Sequence, residues 1–395
     1  MMFADRINRI QPSATLEMTA KAADLRSKGL DVINLSVGEP DFNTPDNIIN
    51  AAKKAMLEGY TKYTPGSGTL DLRKAVSAKL KRDNKLQYKP NEIIVSCGGK
   101  HSLYNACQVL FQKDDEVIIF SPYWVSFPDF VSVTGAKPVF VKTNAEKQYE
   151  PIFEDLEKKI NSNTKGVIIN SPSNPTGGVW SKEAIIETLK IAKKNNLWVF
   201  SDECYEQLTY DYPFDSIATL SKNKERILTF QSCSKTYAMT GWRIGYTAGN
   251  QKVIKAMSKL QGQSTSCPNS IAQYAAKEAL IGNQEFVVNM RKTFKKRRKL
   301  IVDGLNNISN VSCDNPGGAF YVFPNIHFFL NKKYNGKIIK NSSDLSMLLL
   351  EEKLVVTVSG NSFGSNNNIR LSYAASENDI NNALIRMEEL FNKIK

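Results

Sequence analysis

The best-equipped chemical segment in the chain is a lysine between two hydroxyl residues, with an arginine eight residues further on. An apolar run at 227–231 leads into Ser232-Cys233-Ser234-Lys235-Thr236, and Arg243 follows. A lysine at the end of a strand can condense with a carbonyl cofactor, while small hydroxyls and an arginine hold that cofactor's phosphate. Two further apolar runs end in loaded loops of the same kind. Residues 166–170 lead to Ser171-Pro172-Ser173-Asn174-Pro175-Thr176-Gly177-Gly178, and residues 197–201 lead to Asp202-Glu203-Cys204-Tyr205. Asn174, Asp202 and Lys235 are each spaced about one strand–helix unit from the next. In a parallel sheet such residues gather at the carboxyl ends of the strands, where open α/β folds bind ligands.

Each residue then has a matching task. Asp202 suits the nitrogen of a pyridine ring, which it would keep protonated and electron-accepting; it also suits a helix N-cap after a strand. Tyr205 and Asn174 suit donation to a phenolate oxygen, although Asn174-Pro175 also fits a plain turn. Gly98-Gly99-Lys100 follows a run at 92–96 and precedes a helical pattern at 103–110, so its backbone N–H groups suit a phosphate as well as an ordinary turn. Trp124 suits the face of a ring or an ordinary core position. Arg370 stands amid apolar alternation at 368–373 and needs an anion, either a substrate carboxylate held in two-pronged fashion or a structural partner.

The elements that must position these groups are read from periodicity. Strand-like runs at 92–96, 116–120, 138–142, 166–170, 197–201, 227–231 and 243–248 alternate with helical patterns such as 182–195, which predicts an α/β fold with a mostly parallel sheet. The last third changes character, with short strands expected at 317–323, 354–358 and 368–373 and an amphipathic helix at 377–393. This predicts a smaller α+β domain made of 1–45 and 291–395 beside a large cofactor-binding domain, 46–290. A long helix at about 284–306 joins the two. Polar stretches at 331–343 and 365–368 read as surface loops.

Composition bounds the function. The chain has 395 residues, 42% of them hydrophobic and 23% charged, with a net charge of +13. No apolar run approaches the roughly 20 residues of a membrane span. No secretory signal pattern follows the first residues, and the six cysteines lack paired spacing, so a cytoplasmic protein with reduced thiols is expected. Two histidines cannot build a multi-histidine metal centre, and no metal site is expected. The basic cluster at 291–299 lies in a helical pattern with Met290, Phe294 and Ile301 on one stripe. It reads as a solvated face and not as a nucleic-acid site, and the positive balance suits anionic small molecules.

Taken in order, these motifs resemble the class I pyridoxal-phosphate-dependent aminotransferases of fold type I, over about residues 12–391. Val37-Gly38-Glu39-Pro40-Asp41-Phe42 resembles the family's entrance segment, and Tyr63-Thr64-Pro65-Gly66-Ser67-Gly68 its partner-contacting loop. The resemblance implies pyridoxal 5'-phosphate as cofactor, bound covalently by Lys235. Asp202 would meet its ring nitrogen, Tyr205 and Asn174 its ring oxygen and Trp124 its ring face. Gly99, Lys100, Ser232, Ser234 and Arg243 would surround its phosphate. It also implies a homodimer with shared sites, in which Tyr63 reaches the neighbouring subunit's phosphate. Arg370, Asn174, Trp124 and the Gly38 backbone would hold an amino acid or 2-oxo acid substrate. The segment Pro12-Ser13-Ala14-Thr15 and Gly98-Gly99-Lys100 are similar to the prokaryotic-type aspartate aminotransferases, which implies Ser13, Thr15 and Lys100 at a second carboxylate of aspartate or glutamate. Alternatives that share the cofactor residues are transaminases for aromatic, alanine or methionine substrates and carbon–sulfur lyases. A transcription regulator built on this fold is disfavoured, because only about 30 residues precede the first strand-like run.

Overall fold

The structure is a computed structural model that describes residues 3–12 and 14–395, with the side chains of 14–17 and 19 outside the description. Its centre is an eight-stranded sheet in the order Ile93–Ser96, Gly245–Ala248, Ile227–Ser232, Trp198–Asp202, Thr164–Asn170, Glu116–Ser121, Lys137–Asn144 and Glu150–Pro151. From Ile227–Ser232 to Lys137–Asn144 all neighbours run parallel. Gly245–Ala248 is antiparallel to both of its neighbours, and Glu150–Pro151 is antiparallel to Lys137–Asn144.

The inner strands were legible because they lie between helical layers and are apolar on both faces. Ile93–Ser96 and Ile227–Ser232 are buried at every residue. Val95, Val167, Ile169, Val199 and Ile227 face one core; Ile94, Ile119, Ile168, Phe200 and Leu228 face the other. The alternation is the pleat read out in burial. Helices close both faces. Lys182–Lys194 starts at Ser181, whose hydroxyl accepts from the Ala184 N–H at 3.2 Å, and it buries Ala184, Ile185, Thr188, Leu189, Ile191 and Ala192. A serine cap of this kind contributes about 1 kcal/mol.

A second core collects Ile33 and Leu35, the helices Glu285–Asn307 and Glu377–Phe391, and a three-stranded antiparallel sheet in the order Tyr321–Val322, Ile369–Ser372, Val358–Ser359. Ile33–Asn34 pairs in parallel with Val355–Val356. Tyr205, Leu208 and Tyr210 enter this core from the segment after Trp198–Asp202, so the two cores interlock beside the candidate site.

Several expectations change in detail. Only Tyr321–Val322 of the 317–323 stretch forms a strand, and the supposed loop at 331–343 contains the hairpin Lys333–Tyr334 and Lys337–Ile338 before a helix begins at Ser342. The basic cluster is not wholly a solvated face. Lys296 and Lys299 are exposed, but Arg298 is buried and clasps Asp211 at 2.6 and 3.1 Å, and Arg297 reaches Asp41 at 2.8 Å. Local periodicity cannot reveal such partners, which lie more than 80 residues away. Among the described residues no helix is long and apolar enough to cross a membrane.

Candidate active site

Asn170, Asp202 and Phe230 are opposite one another on adjacent strands, so the loops that follow open at one end of the sheet. There they enclose a cavity of about 370 Å³. Gly38, Gly99, Lys100, Trp124, Asn174, Asp202, Tyr205, Ser232, Ser234, Lys235, Arg243 and Arg370 all line it. Tyr63 does not: its side chain is 90% exposed on the outer surface. Ser13 lies outside the described residues. Thr15 falls within the helix Ala14–Ser27, and its side chain lies outside the description.

One end of the cavity is shaped for a phosphate. Gly98 takes φ 94°, and a Cβ there would stand 2.4 Å from Arg243 Nη2, so the arginine lies directly on the turn. The helix Gly99–Leu110 starts at this turn and directs its first N–H groups outward. Gly245 lets the neighbouring strand approach, since a Cβ on it would stand 2.2 Å from the Gly99 nitrogen. Ser232 Oγ lies 2.8 Å from Ser234 Oγ and caps the short helix Cys233–Thr236 that carries Lys235. Two hydroxyls, a helix N-terminus and a guanidinium thus meet in one cup.

Further in, Asp202 is buried, and its carboxylate accepts the Cys204 N–H at 3.2 Å. Burial pushes its carboxyl up to about 7, against the pull of that N–H and of Lys235. A carboxylate so placed fits a cationic partner entering the cavity. Burial also holds the Lys235 amine below the ordinary lysine range, aided by Arg243 and Arg370, and the amine donates to the Gly38 carbonyl. Trp124 forms a side wall, edge-on to Phe127 and Phe130, with the Lys100 ammonium 5.1 Å from its ring centre.

Arg370 closes the opposite side. It is 2% exposed, and its guanidinium lies over the rings of Tyr321 and Phe363. Nη1 donates to Asn174 Oδ1 at 3.0 Å and Nη2 to the Ser36 carbonyl at 2.6 Å. Nε has no partner, and among the described residues no carboxylate pairs with this cation. A buried charge left with neutral partners is costly, so the site favours an incoming anion.

Sequence reasoning missed Tyr321, Glu39, Cys204 and Gln231. Tyr321 places its hydroxyl 2.9 Å from that of Tyr205, and the Thr240 hydroxyl donates to Glu39 Oε2 at 2.6 Å across the mouth. The tyrosine stands in the Gly317-Gly318-Ala319-Phe320-Tyr321 run, where two glycines before aromatics signal close backbone approach. Gly318 N–H indeed donates to the Gly177 carbonyl of the Asn174 loop at 2.9 Å, and a Cβ on it would stand 2.8 Å from Pro172.

Comparison with known proteins agrees with this geometry. The family model described as aminotransferase class I and II matches residues 30–387. An aspartate aminotransferase of Bacillus sp. strain YM-2 is 44% identical over 98% of this chain and 98% of its own length. A probable aspartate/prephenate aminotransferase of Rhizobium leguminosarum bv. phaseoli is 45% identical over 98% and 97%. Among solved structures, an aspartate aminotransferase from Rhizobium meliloti superposes with a TM-score of 0.96 at 40% identity, covering 100% of both chains. One from Thermus thermophilus, solved with maleate, gives 0.93 at 38%, covering 99% of this chain and 100% of that one. Such enzymes depend on pyridoxal 5'-phosphate, and the phosphate cup, the buried carboxylate and the lysine between them fit that group. The chain belongs to the class I and II aminotransferases and shares the fold-type-I architecture of the aspartate aminotransferases.

Proposed function

We propose that this aminotransferase takes its amino group from an acidic amino acid, aspartate or glutamate, and delivers it to a 2-oxo acid. The observation that carries the transamination reading is Arg370, a buried guanidinium that among the described residues meets no carboxylate, on the wall of the cavity that also holds Lys235 and Asp202; the acidic donor rests on the relatives instead. When bound, pyridoxal 5'-phosphate supplies a carbonyl that takes up the amino group and a ring that accepts the electron pair left by the α-proton.

The residues divide the remaining work. Gly99, Lys100, Ser232, Ser234 and Arg243 bind the phosphate. Asp202 holds a proton on the ring nitrogen, while Tyr205 and Asn174 hold the ring oxygen. Lys235, whose amine burial holds below the ordinary lysine range, moves the proton at the α-carbon. Arg370, with Asn174 and the Gly38 backbone, fixes the substrate's α-carboxylate and so orients the bond to be broken. Ser13, Thr15 and Lys100 are assigned to the distal carboxylate. The names of the relatives and the maleate in the Thermus structure support an acidic substrate.

A bulkier acidic partner such as prephenate is a second reading. The Rhizobium relative carries that name, and an apolar annex of Tyr104, Tyr123, Val125, Pro128 and Phe130 adjoins the cavity beyond Lys100.

The enzyme is proposed to be a homodimer. Leu57 and Tyr63 are each 90% exposed, and Met56, Tyr60 and Leu70 of the same stretch are also exposed, an apolar surface that suits a second copy. We assign 46–290 to a large domain, and 1–45 with 291–395 to a small one. A cytoplasmic location fits six cysteines that are all free.

The deciding experiment mixes the loaded enzyme with single amino acids and follows the cofactor's visible absorbance. Aspartate or glutamate should react about ten- to a hundredfold faster than alanine, the value of one extra charged contact. A preference for alanine or phenylalanine overturns the substrate reading. Transfer to prephenate faster than to 2-oxoglutarate establishes the second reading over the first.

A further inference from the structure

Behind the cavity wall lies a buried polar chain that the reaction, as described, does not use. Lys79, 1% exposed, donates from Nζ to Asn84 Oδ1 at 2.7 Å, to Glu206 Oε1 at 2.5 Å and to Gln231 Oε1 at 2.8 Å. An ammonium only donates, so it fixes the orientation of the Gln231 amide with its oxygen toward Lys79. The Tyr246 hydroxyl donates to the same oxygen at 3.0 Å. The amide's Nε2 therefore points the other way, and it donates to Glu203 Oε2 at 3.1 Å.

Glu203 is fully buried and neighbours Asp202 in sequence. Its carboxyl also meets Ser201 Oγ at 2.7 Å, Ser216 Oγ at 2.7 and 2.8 Å, and the Ile217 N–H at 3.1 Å. Two of these partners, the Ile217 N–H and the Gln231 amide, can only donate, which suits an ionised carboxylate. Burial pushes Glu203 upward, and these donors pull it back. The cluster of Lys79, Glu206, Glu203 and Asp202 thus holds one cation and three carboxylates; Asp83, 3.9 Å from Lys79, is itself paired with Arg82 at 2.6 and 2.9 Å. Asp202, and the Gln231 that joins Lys79 to Glu203, face the cavity. Glu203 adds to the upward push on the Asp202 carboxyl, so its charge is felt at the cavity wall.

We infer that Glu203 is a positioning residue whose charge, fixed by the Lys79–Gln231 relay, strengthens the grip of Asp202 on a protonated ring nitrogen. The proposal rests on the reading that Asp202 meets that nitrogen, and the test separates the two. Dissociation constants are measured for pyridoxal 5'-phosphate and for its 1-deaza analogue, in which C–H replaces the ring nitrogen. The proteins are the cofactor-free wild type, Glu203→Gln, Asp202→Asn and Ser216→Ala.

The wild type should prefer the natural cofactor. Glu203→Gln should cut that preference about tenfold, one pKa unit's worth of a neighbouring charge, and leave the affinity for the analogue within about twofold of wild type. Ser216→Ala removes the hydroxyl that reaches both Glu203 oxygens and should cut the preference in the same direction, about two- to threefold; it carries the test if Glu203→Gln does not fold. Equal loss of both ligands would mean a purely structural role and overturn the inference. So would a preference that collapses in Asp202→Asn but survives in Glu203→Gln and Ser216→Ala. A preference that survives in Asp202→Asn overturns the Asp202 reading itself, and the proposal with it.

Discussion

The two walls of the cavity hold their charges in opposite ways. On the sheet side Asp202 is backed by hydrogen-bonded layers that reach from Glu203 through Gln231 to Lys79 and Glu206. On the other side Arg370 has one amide oxygen, one carbonyl and two aromatic faces and, among the described residues, no counter-charge. A group that stays bound can be met by a permanent, deeply supported field. A group that must leave after each turnover is better met by a charge whose compensation arrives with it. The contrast separates the cofactor's half of the site from the substrate's half.

Removing the centre of the sheet side should have the largest effect. Lys235→Ala takes away both the covalent anchor and the proton carrier, and turnover should fall by at least about 10⁵-fold with the fold intact. Borohydride reduction of the wild type followed by peptide mass spectrometry should find the cofactor on Lys235, and label on another lysine would refute the assignment. Breaking the opposite wall should cost less but reach every substrate. Arg370→Lys keeps the charge and loses the fork, and kcat/KM should drop about 10²–10³-fold for alanine and aspartate alike. A loss confined to dicarboxylates would place Arg370 at the distal group instead.

The contrast can be sharpened without substrate. Asp202 in the folded, cofactor-free protein is pushed up to about 7. The folded state therefore binds a proton that the unfolded chain releases near pH 4. Raising the pH from about 4 to about 7 costs stability, and the loss levels off above that range. Asp202→Asn removes this slope, so between pH 5 and pH 8 its stability relative to wild type should rise by about 2–3 kcal/mol. Denaturant titration at the two pH values measures it, and an unchanged difference would mean that Asp202 is ionised throughout.

The smallest effect is expected at the surface. Tyr63→Phe should weaken cofactor binding about tenfold, the worth of one hydrogen bond to a charged group. Mixed with Lys235→Ala subunits, it should regain activity per functional site, because the Lys235-bearing site then receives an intact Tyr63. No rescue would refute the shared site.

Legibility in the sequence followed the same division. The carboxyl-end constellation of Asn174, Asp202 and Lys235 was readable because each residue follows a short apolar run, and parallel topology does the rest. Lys79 was not. It sits in Ala78-Lys79-Leu80-Lys81-Arg82, which resembles any solvated helix face, and its burial depends on Glu206 and Gln231, 127 and 152 residues away. Arg298 was hidden for the same reason. The antiparallel insertion of Gly245–Ala248 was equally silent, since strand direction leaves no mark on local composition.

The turn at Gly98 and the strand beginning at Gly245 touch across nearly 150 residues, whereas Arg370 reaches back 334 residues to Ser36. Chains emerge from the ribosome N-terminus first and close distant contacts late. The phosphate cup is closed by residues up to about 245, whereas the carboxylate clamp needs residue 370 as well. The cup is therefore local to the sheet, while the clamp couples the sheet to the C-terminal third, so loosening that third should loosen the substrate's grip before the phosphate's.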